Sequence, residues 1–353
     1  MPLLPMVGHE VLRGQLSAAV QRGSLPQLLL LTGPQGVGKQ RMGLWLAQRL
    51  LCEGPPGEPC GVCRPCRLVL GLGHPDVHWL MPVPRPKSGE PDKQVDELQD
   101  QLGEVLEERR KQPLYGPPEG LAGHFVATAR LIIRRAALRP VEGNNRVFLI
   151  GYADRLVPQE SSPEAANALL KLLEEPAAGT YFVLTAEDPE SVLPTIRSRA
   201  VAMRLGTLKD DQVRGFLQAH GEASSGDLEA MMKLAQGSIG RAVTDPGSAE
   251  KGSSLAAALL ESARAKTPGL WEMALKQTTF SARGDFTSAL DAMAEMLAEA
   301  LRGAGTRSPL SAVPSRRLLA ALDRVGEARE MAQGNVNPQL LLAVLGQDLA
   351  ETL

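Results

Sequence analysis

Residues Thr32–Gln40 read TGPQGVGKQ and follow a short, continuous apolar run, SLPQLLLL. A run of that kind fits a strand buried on both faces. After Lys39, the stretch QRMGLWLAQRLLC places apolar residues at helical spacing. Strand, glycine turn and helix in this order are what a phosphate-binding loop requires. Gly33, Gly36 and Gly38 let backbone N–H groups turn toward an anion, the helix presents its positive end, and Lys39 can neutralise β- and γ-phosphate charge. The last letter departs from the ATP-hydrolysing pattern, which puts a serine or threonine hydroxyl there to hold Mg²⁺. Gln40 offers only an amide oxygen, so ATP or ADP binding is compatible with the loop while hydrolysis is disfavoured.

Hydrolysis also needs acidic groups at the end of a neighbouring strand, to hold the metal and to orient the attacking water. The apolar stretch NRVFLIGYAD reads as that strand and supplies Asp154. Arg155 follows where a second carboxylate is needed. Two catalytic positions are altered, and together they argue against turnover more strongly than either alone.

All four cysteines, Cys52, Cys60, Cys63 and Cys66, fall in one segment with the spacing C-x7-C-x2-C-x2-C. Such clustering favours a metal over disulfides. Four thiolates close a tetrahedral Zn²⁺ site, and the intervening glycines and prolines suit the tight turns around it. An iron–sulfur cluster is the rival, because C-x2-C-x2-C also occurs in ferredoxin-like chains. The setting, a hydrophilic loop within a nucleotide-binding fold, favours structural zinc. Direct DNA binding by this module would want aromatic and basic neighbours, and only Arg64 and Arg67 are there.

At 353 residues the chain should hold two or three domains, on a prior of roughly 100–200 residues each. Only 3% of residues are aromatic, so the cores must be built from Leu, Ala and Val. The formal net charge of −2 makes no global demand for nucleic acid or membrane. The N-terminal stretch MPLLPMVGHEVLRGQL lacks a basic segment followed by an apolar one, and no run of about 18 apolar residues occurs. A cytoplasmic protein with no membrane partner is expected.

Strands alternating with helices continue through HPDVHWLMPV, TARLIIRRAAL, SPEAANALLKLLEEP with a cap near Ser162, TYFVLTAED and PTIRSRAVAMRL. This predicts an α/β domain with a parallel sheet over residues 1–205. Within it lie the cysteine module at about 52–66 and an insertion at about 84–123, read as an amphipathic helix between proline-rich linkers. Strand signals then vanish. A small helical domain is expected over 206–250, ending in the linker DPGSAEKGSS, and an all-α domain over 251–353.

The stretches ANALLKLLEEP (Ala166–Pro176) and YFVLTAEDPESVLPTIRSRA (Tyr181–Ala200) resemble the segment leading to the serine-arginine-cysteine motif of bacterial DNA polymerase III clamp-loader subunits. The glycine loop, the four-cysteine module and the closing GNVNPQLLLAVLGQDL continue the resemblance in order, over most of the chain. It implies an AAA+ P-loop domain with an inserted zinc module, a helical lid and a collar domain for oligomerisation. Within that family the chain is similar to the member whose nucleotide site is degraded. Gln40 and Arg155 fit that choice, as does Gly240, which stands where active subunits carry a lid-domain sensor arginine, with Arg241 one step on. The end at Leu353, without a long polymerase-tethering extension, fits it too.

By the same resemblance, Ser198 and Arg199 match the family's serine-arginine pair, and Arg199 would act as an arginine finger in the ATP site of an adjacent subunit. Ala200 replaces the usual cysteine, without consequence for the arginine's reach. The implied function is that of a non-hydrolysing stator within a polymerase holoenzyme, helping to load the sliding clamp on primed DNA beside ATPase gamma/tau and delta subunits. The alternative is a competent gamma/tau-like ATPase or a related AAA+ DNA remodeller.

Overall fold

Every residue of β1 (Leu28–Thr32) is buried, as its leucine run requires of a strand covered on both faces. It lies between β6 (Thr180–Ala186) and β7 (Val201–Arg204), and the parallel sheet runs β2-β5-β6-β1-β7, with β2 (Val77–Leu80) and β5 (Arg146–Ile150) completing it. Register is fixed by apolar partners such as Leu30 opposite Leu184, and by Phe148 stacked on its neighbour Phe182 at 5.1 Å. β7 is mostly exposed, as befits an edge strand. Helices α1 (Glu10–Gln21), α2 (Lys39–Leu51), α3 (Arg64–Leu70), α5 (Val126–Ala136) and α6 (Glu164–Glu174) supply the crossovers that parallel pairing demands.

The computed structural model describes residues 3–4, 6–111, 122–156, 164–220, 225–243, 246–265, 283–303, 309–332 and 337–353. Ser162 and residues 115–121 of the expected linker YGPPEGLAG at 115–123 lie outside them. The chain parts into two compact units, Met1–Val243 and Thr244–Leu353.

The insertion at 84–123 is built on the amphipathic helix expected of it, and that helix is anchored to the sheet domain. Its helix α4 (Pro91–Lys111) buries Val95, Leu98 and Leu102 in the main core. Its two ends meet as a short antiparallel pair, β3 (Val83–Pro84) with β4 (Ala122–Gly123). After the sheet, α8 (Asp210–His220), α9 (Ser225–Ala235) and α10 (Ile239–Ala242) form their own small cluster around Val213, Phe216 and Leu217.

The second unit packs helices Pro246–Ala265, Arg283–Leu301, Ser315–Ala332 and Pro338–Thr352 around Leu259, Leu290, Met293, Val325 and Leu342. The expected linker at 245–254 is corrected here: a helix starts at Pro246 and runs through it. Proline at the first helical position gives up no intrahelical hydrogen bond. The buried face formed by Ala256, Leu259, Leu260 and Ala263 then outweighs the weak helix propensity of the glycine and serines upstream.

Candidate functional site

Between β1 and α2 the chain turns at Gly33, Gly36 and Gly38, with φ of 141°, 72° and 99°. The turn is tightly held. Gly33 N–H donates to the Glu187 carbonyl at 3.1 Å, and Leu205 N–H donates to the Thr32 carbonyl at 2.7 Å. Ser238 Oγ donates to the Gln35 carbonyl at 2.9 Å, and Gly240 N–H donates to the Gly36 carbonyl at 3.0 Å. The start of α10 is thus laid against the glycine loop, backbone on backbone. A Cβ on Gly240 would sit 2.5 Å from Gly36 Cα, and one on Gly36 would sit 2.5 Å from Ser238 Oγ and 2.8 Å from Gly240 Cα. Glycine at both positions is what permits the contact.

Gly36→Ala is therefore expected to destabilise the first unit by about 2–4 kcal/mol, since it combines an unfavourable left-handed backbone with overpacking. Urea unfolding checks this. A change below about 0.5 kcal/mol, the scale of a neutral surface substitution, would show that the loop and α10 are not held together.

Lys39 Nζ folds over the same loop, donating to the Gly33 carbonyl at 2.7 Å and the Pro34 carbonyl at 2.8 Å. Burial pulls its pKa down, while Glu187 and Asp154 work in the opposite direction. Asp154 occupies a short 3-10 turn, Ala153–Leu156, and burial pushes its pKa up against the lowering effect of Arg155 and Lys39. Its Oδ1 has no hydrogen-bond partner among the described residues. Lys39, Asp154 and Glu187 thus share one electrostatic site. Glu187 was not singled out from sequence, although its place directly after the apolar strand β6 was a usable signal.

Gln40 is buried and turned toward the sheet, where its Oε1 accepts the indole N–H of Trp79 at 3.0 Å. The residue that abuts it at the end of β5 is Gly151: a Cβ there would lie 3.0 Å from Gln40 Nε2. No carboxylate can project from that position. Arg155 faces elsewhere, donating to the Ala122 carbonyl at 3.3 Å and lying over the Tyr152 ring at 5.6 Å.

The four cysteines converge, with all Sγ atoms within 4.8 Å of one another. Cys52 is the residue that ends α2, Cys63 the one that precedes α3, and Cys66 is buried within α3. An ion held by all four would tie these helix ends together. Tetrahedral Zn–S bonds of about 2.3 Å set neighbouring sulfurs about 3.8 Å apart. Cys63 Sγ and Cys52 Sγ are 4.0 Å apart, so small side-chain shifts bring the set to that geometry. Gly54 and Cys60 N–H groups donate to Cys52 Sγ, and Cys63 N–H donates to Cys60 Sγ, each at 3.3 Å. Such donors favour thiolates. Backbone N–H bonds from Cys63 and Val62 lower the Cys60 thiol to about 6, whereas burial pushes Cys66 up. The intervening loop is anchored to α1 and α2 by Glu58, which accepts from Trp45 Nε1 at 2.7 Å and Arg13 Nη1 at 3.0 Å.

Arg199 lies apart from this loop, just after α7 (Pro194–Arg197). Its guanidinium pairs with Glu174 at the end of α6 and donates to the Thr195 carbonyl at 2.7 Å and to Ser198 Oγ at 3.2 Å. The side chain is 38% exposed, so the fork is aimed by its neighbours yet reachable from outside.

A family model described as DNA polymerase III, delta subunit, matches residues 8–209. The DNA polymerase III subunit delta' of Pseudomonas aeruginosa is 33% identical over 173 residues, 49% of this chain and 40% of its own length. That of Escherichia coli is 30% identical over 230 residues, 65% of this chain and 57% of its own. The gamma/tau subunit of Mycobacterium tuberculosis is 30% identical over 195 residues, 55% of this chain and 27% of its own. A solved gamma subunit-related protein from Thermotoga maritima aligns over 95% of this chain and 99% of its own, at 15% identity and a TM-score of 0.43. The chain spans about half the length of the curated delta' relatives it matches. The family match runs from before the glycine loop, through the four cysteines, to beyond Arg199, and on it this chain belongs to the delta-prime family of DNA polymerase III clamp-loader subunits.

Proposed function

We propose that this clamp-loader subunit is a stator that does not hydrolyse ATP and lends Arg199 to the site of a neighbouring ATPase subunit of the gamma/tau type. One observation carries the first half of that reading: the side chain that should present a metal-ligating hydroxyl is Gln40, and its oxygen is committed to Trp79 inside the sheet. Gly151 at the adjoining strand end and Lys39 folded over the loop carbonyls support it. The single electrostatic site formed by Lys39, Asp154 and Glu187 is what a competing ATPase reading would draw on. It lacks the hydroxyl that would seat Mg²⁺ beside the phosphates.

In this reading Cys52, Cys60, Cys63 and Cys66 hold a structural zinc ion. A four-iron cluster would hold its cysteines apart by the cluster's own width, and sulfurs within 4.8 Å of one another suit a single ion better. With no open coordination position, the ion supplies rigidity and not chemistry. The residues expected as a lid, 206–250, act as one up to Val243, where the second compact unit begins, and that unit, Thr244–Leu353, takes the place of the expected 251–353 as the collar through which the subunit joins delta and gamma/tau. The sliding clamp and primed DNA are met through the assembly, in the cytoplasm.

The direct test is ATP binding and hydrolysis by the purified chain, with a fluorescent nucleotide and a phosphate-release assay on one sample. The expected result is no turnover above the no-protein background. Turnover abolished by Lys39→Ala would replace the stator by the ATPase reading.

A further inference from the structure

The strands of the sheet are parallel, so the end where β2 and β5 begin lies opposite the glycine loop. There a cleft of about 400 Å³ is lined by His74, His78, Arg135, Arg139 and Arg146, with Leu138 and Val141 among its apolar lining. Among the described residues, no acidic side chain lines it. Arg146 is occupied in holding the fold: it donates to the Arg135 carbonyl at 2.5 Å and the Leu138 carbonyl at 2.7 Å, with Asp76 at 3.8 Å. Asp76, fully buried, in turn accepts N–H bonds from Val141 and Glu142 at 2.7 and 2.6 Å.

The other cationic and donor groups are not neutralised in this way. Arg135 Nη1 donates to His78 Nδ1 at 3.0 Å, which leaves that nitrogen unprotonated and the imidazole neutral, and burial with the neighbouring Arg135 pushes the His78 pKa down to about 3. The two therefore keep the full charge of one guanidinium. His74 Nδ1 accepts the Asp76 N–H at 3.1 Å, so the proton of the neutral ring sits on Nε2. That N–H has no hydrogen-bond partner among the described residues, with Glu142 Oε2 out of reach at 3.9 Å. Arg139 is exposed and makes no hydrogen bond or ion pair among the described residues.

We propose that this cleft is an oxyanion subsite that takes the carboxylate of an acidic side chain on a partner protein, with Arg139 and Arg135 as its cationic arms. A guanidinium fork matches a carboxylate in shape as well as charge. A partner protein is favoured over nucleic acid by the rim. Leu138 is 68% exposed and Val141 73% exposed, and an apolar residue beside the acidic one would cover them. A nucleic-acid backbone offers nothing to that rim and wants a track of cations, whereas here they converge on one cleft.

The test uses the full chain with ¹⁵N-labelled histidine, whose ring signals report on His74 and His78. Probes are the capped dipeptide acetyl-Leu-Glu-amide, its counterpart acetyl-Leu-Gln-amide, and inorganic phosphate. The expected result is a saturable shift with the Glu dipeptide, none with the Gln dipeptide, and about tenfold weaker binding in Arg139→Ala, the scale of one lost charge-assisted contact. Arg139 is exposed and holds nothing in place, so that variant should fold as the parent does. No shift from the Glu dipeptide, or an equal shift in Arg139→Ala, overturns the subsite. A shift from phosphate alone overturns the carboxylate assignment and points to a phosphate-bearing ligand.

Discussion

Cys66→Ser is expected to abolish metal retention, taking the chain from about one zinc per molecule to none, and to unfold the segment between α2 and α3. The effect should be large because a four-thiolate site is closed on itself. Removing one ligand leaves an oxygen donor too weak to complete the set, and the ion's binding energy is part of the folding energy. In isolated zinc-finger peptides that energy is about 10–16 kcal/mol at neutral pH. Less is expected here, about 3–5 kcal/mol, because the loop is also held at Glu58 and at the Gly57 carbonyl, which accepts from Ser17 Oγ at 2.5 Å. Metal analysis of the purified variant, with thermal unfolding on the same sample, is the measurement. Val62→Ser, at a residue 73% exposed on the same loop, is the control that should keep its metal. A Cys66→Ser protein that still carries a full equivalent of zinc would remove Cys66 from the site. Visible absorbance from bound iron in the parent would replace zinc by a cluster.

Features set by local chemistry were legible in the sequence, and those set by distant partners were not. The leucine run, three glycines and Lys39 specify strand, turn and helix within a dozen residues, because burial on both faces and positive φ leave few alternatives. The four cysteines were legible for the same reason, their spacing being the geometry. The pairing of Gln40 with Trp79 joins residues far apart in the chain, and nothing local to either announces it. The same holds for Gly240, where the resemblance implies only a missing sensor arginine and the structure shows a backbone seat on Gly36. Proline and glycine at 245–254 carry the intrinsic propensities of a linker, which the alanine and leucine face that follows overrides. The insertion at 84–123 reads as an amphipathic helix because the leucines and valines of α4 recur at helical spacing, but which core its apolar face joins depends on distant partners and was not legible.

Arg199→Ala should be silent in the isolated chain and severe in the assembly. In the chain, the substitution frees Glu174 and removes one exposed ion pair, a change worth about 0–1 kcal/mol. In the assembled loader, an arginine finger supplied in trans contributes about 10³–10⁵ to the rate at the site it enters. On the proposed role, only the ATP site facing this subunit would lose that factor, so total turnover would fall by that site's share if the sites fire independently, and nearly to zero if they fire in sequence. Either drop supports the finger. Arg199→Lys separates geometry from charge: an ammonium keeps the positive charge but not the planar fork, and should recover only a small part of the rate. Arg197→Ala is the control, since Arg197 is held by Glu190 and carries no such role in this reading. If Arg199→Ala leaves turnover of the assembly unchanged while Arg197→Ala lowers it, the finger has been assigned to the wrong arginine. If neither changes it, the paired arginines serve only to hold α7 between Glu174 and Glu190, and the stator contributes no chemistry to its neighbour.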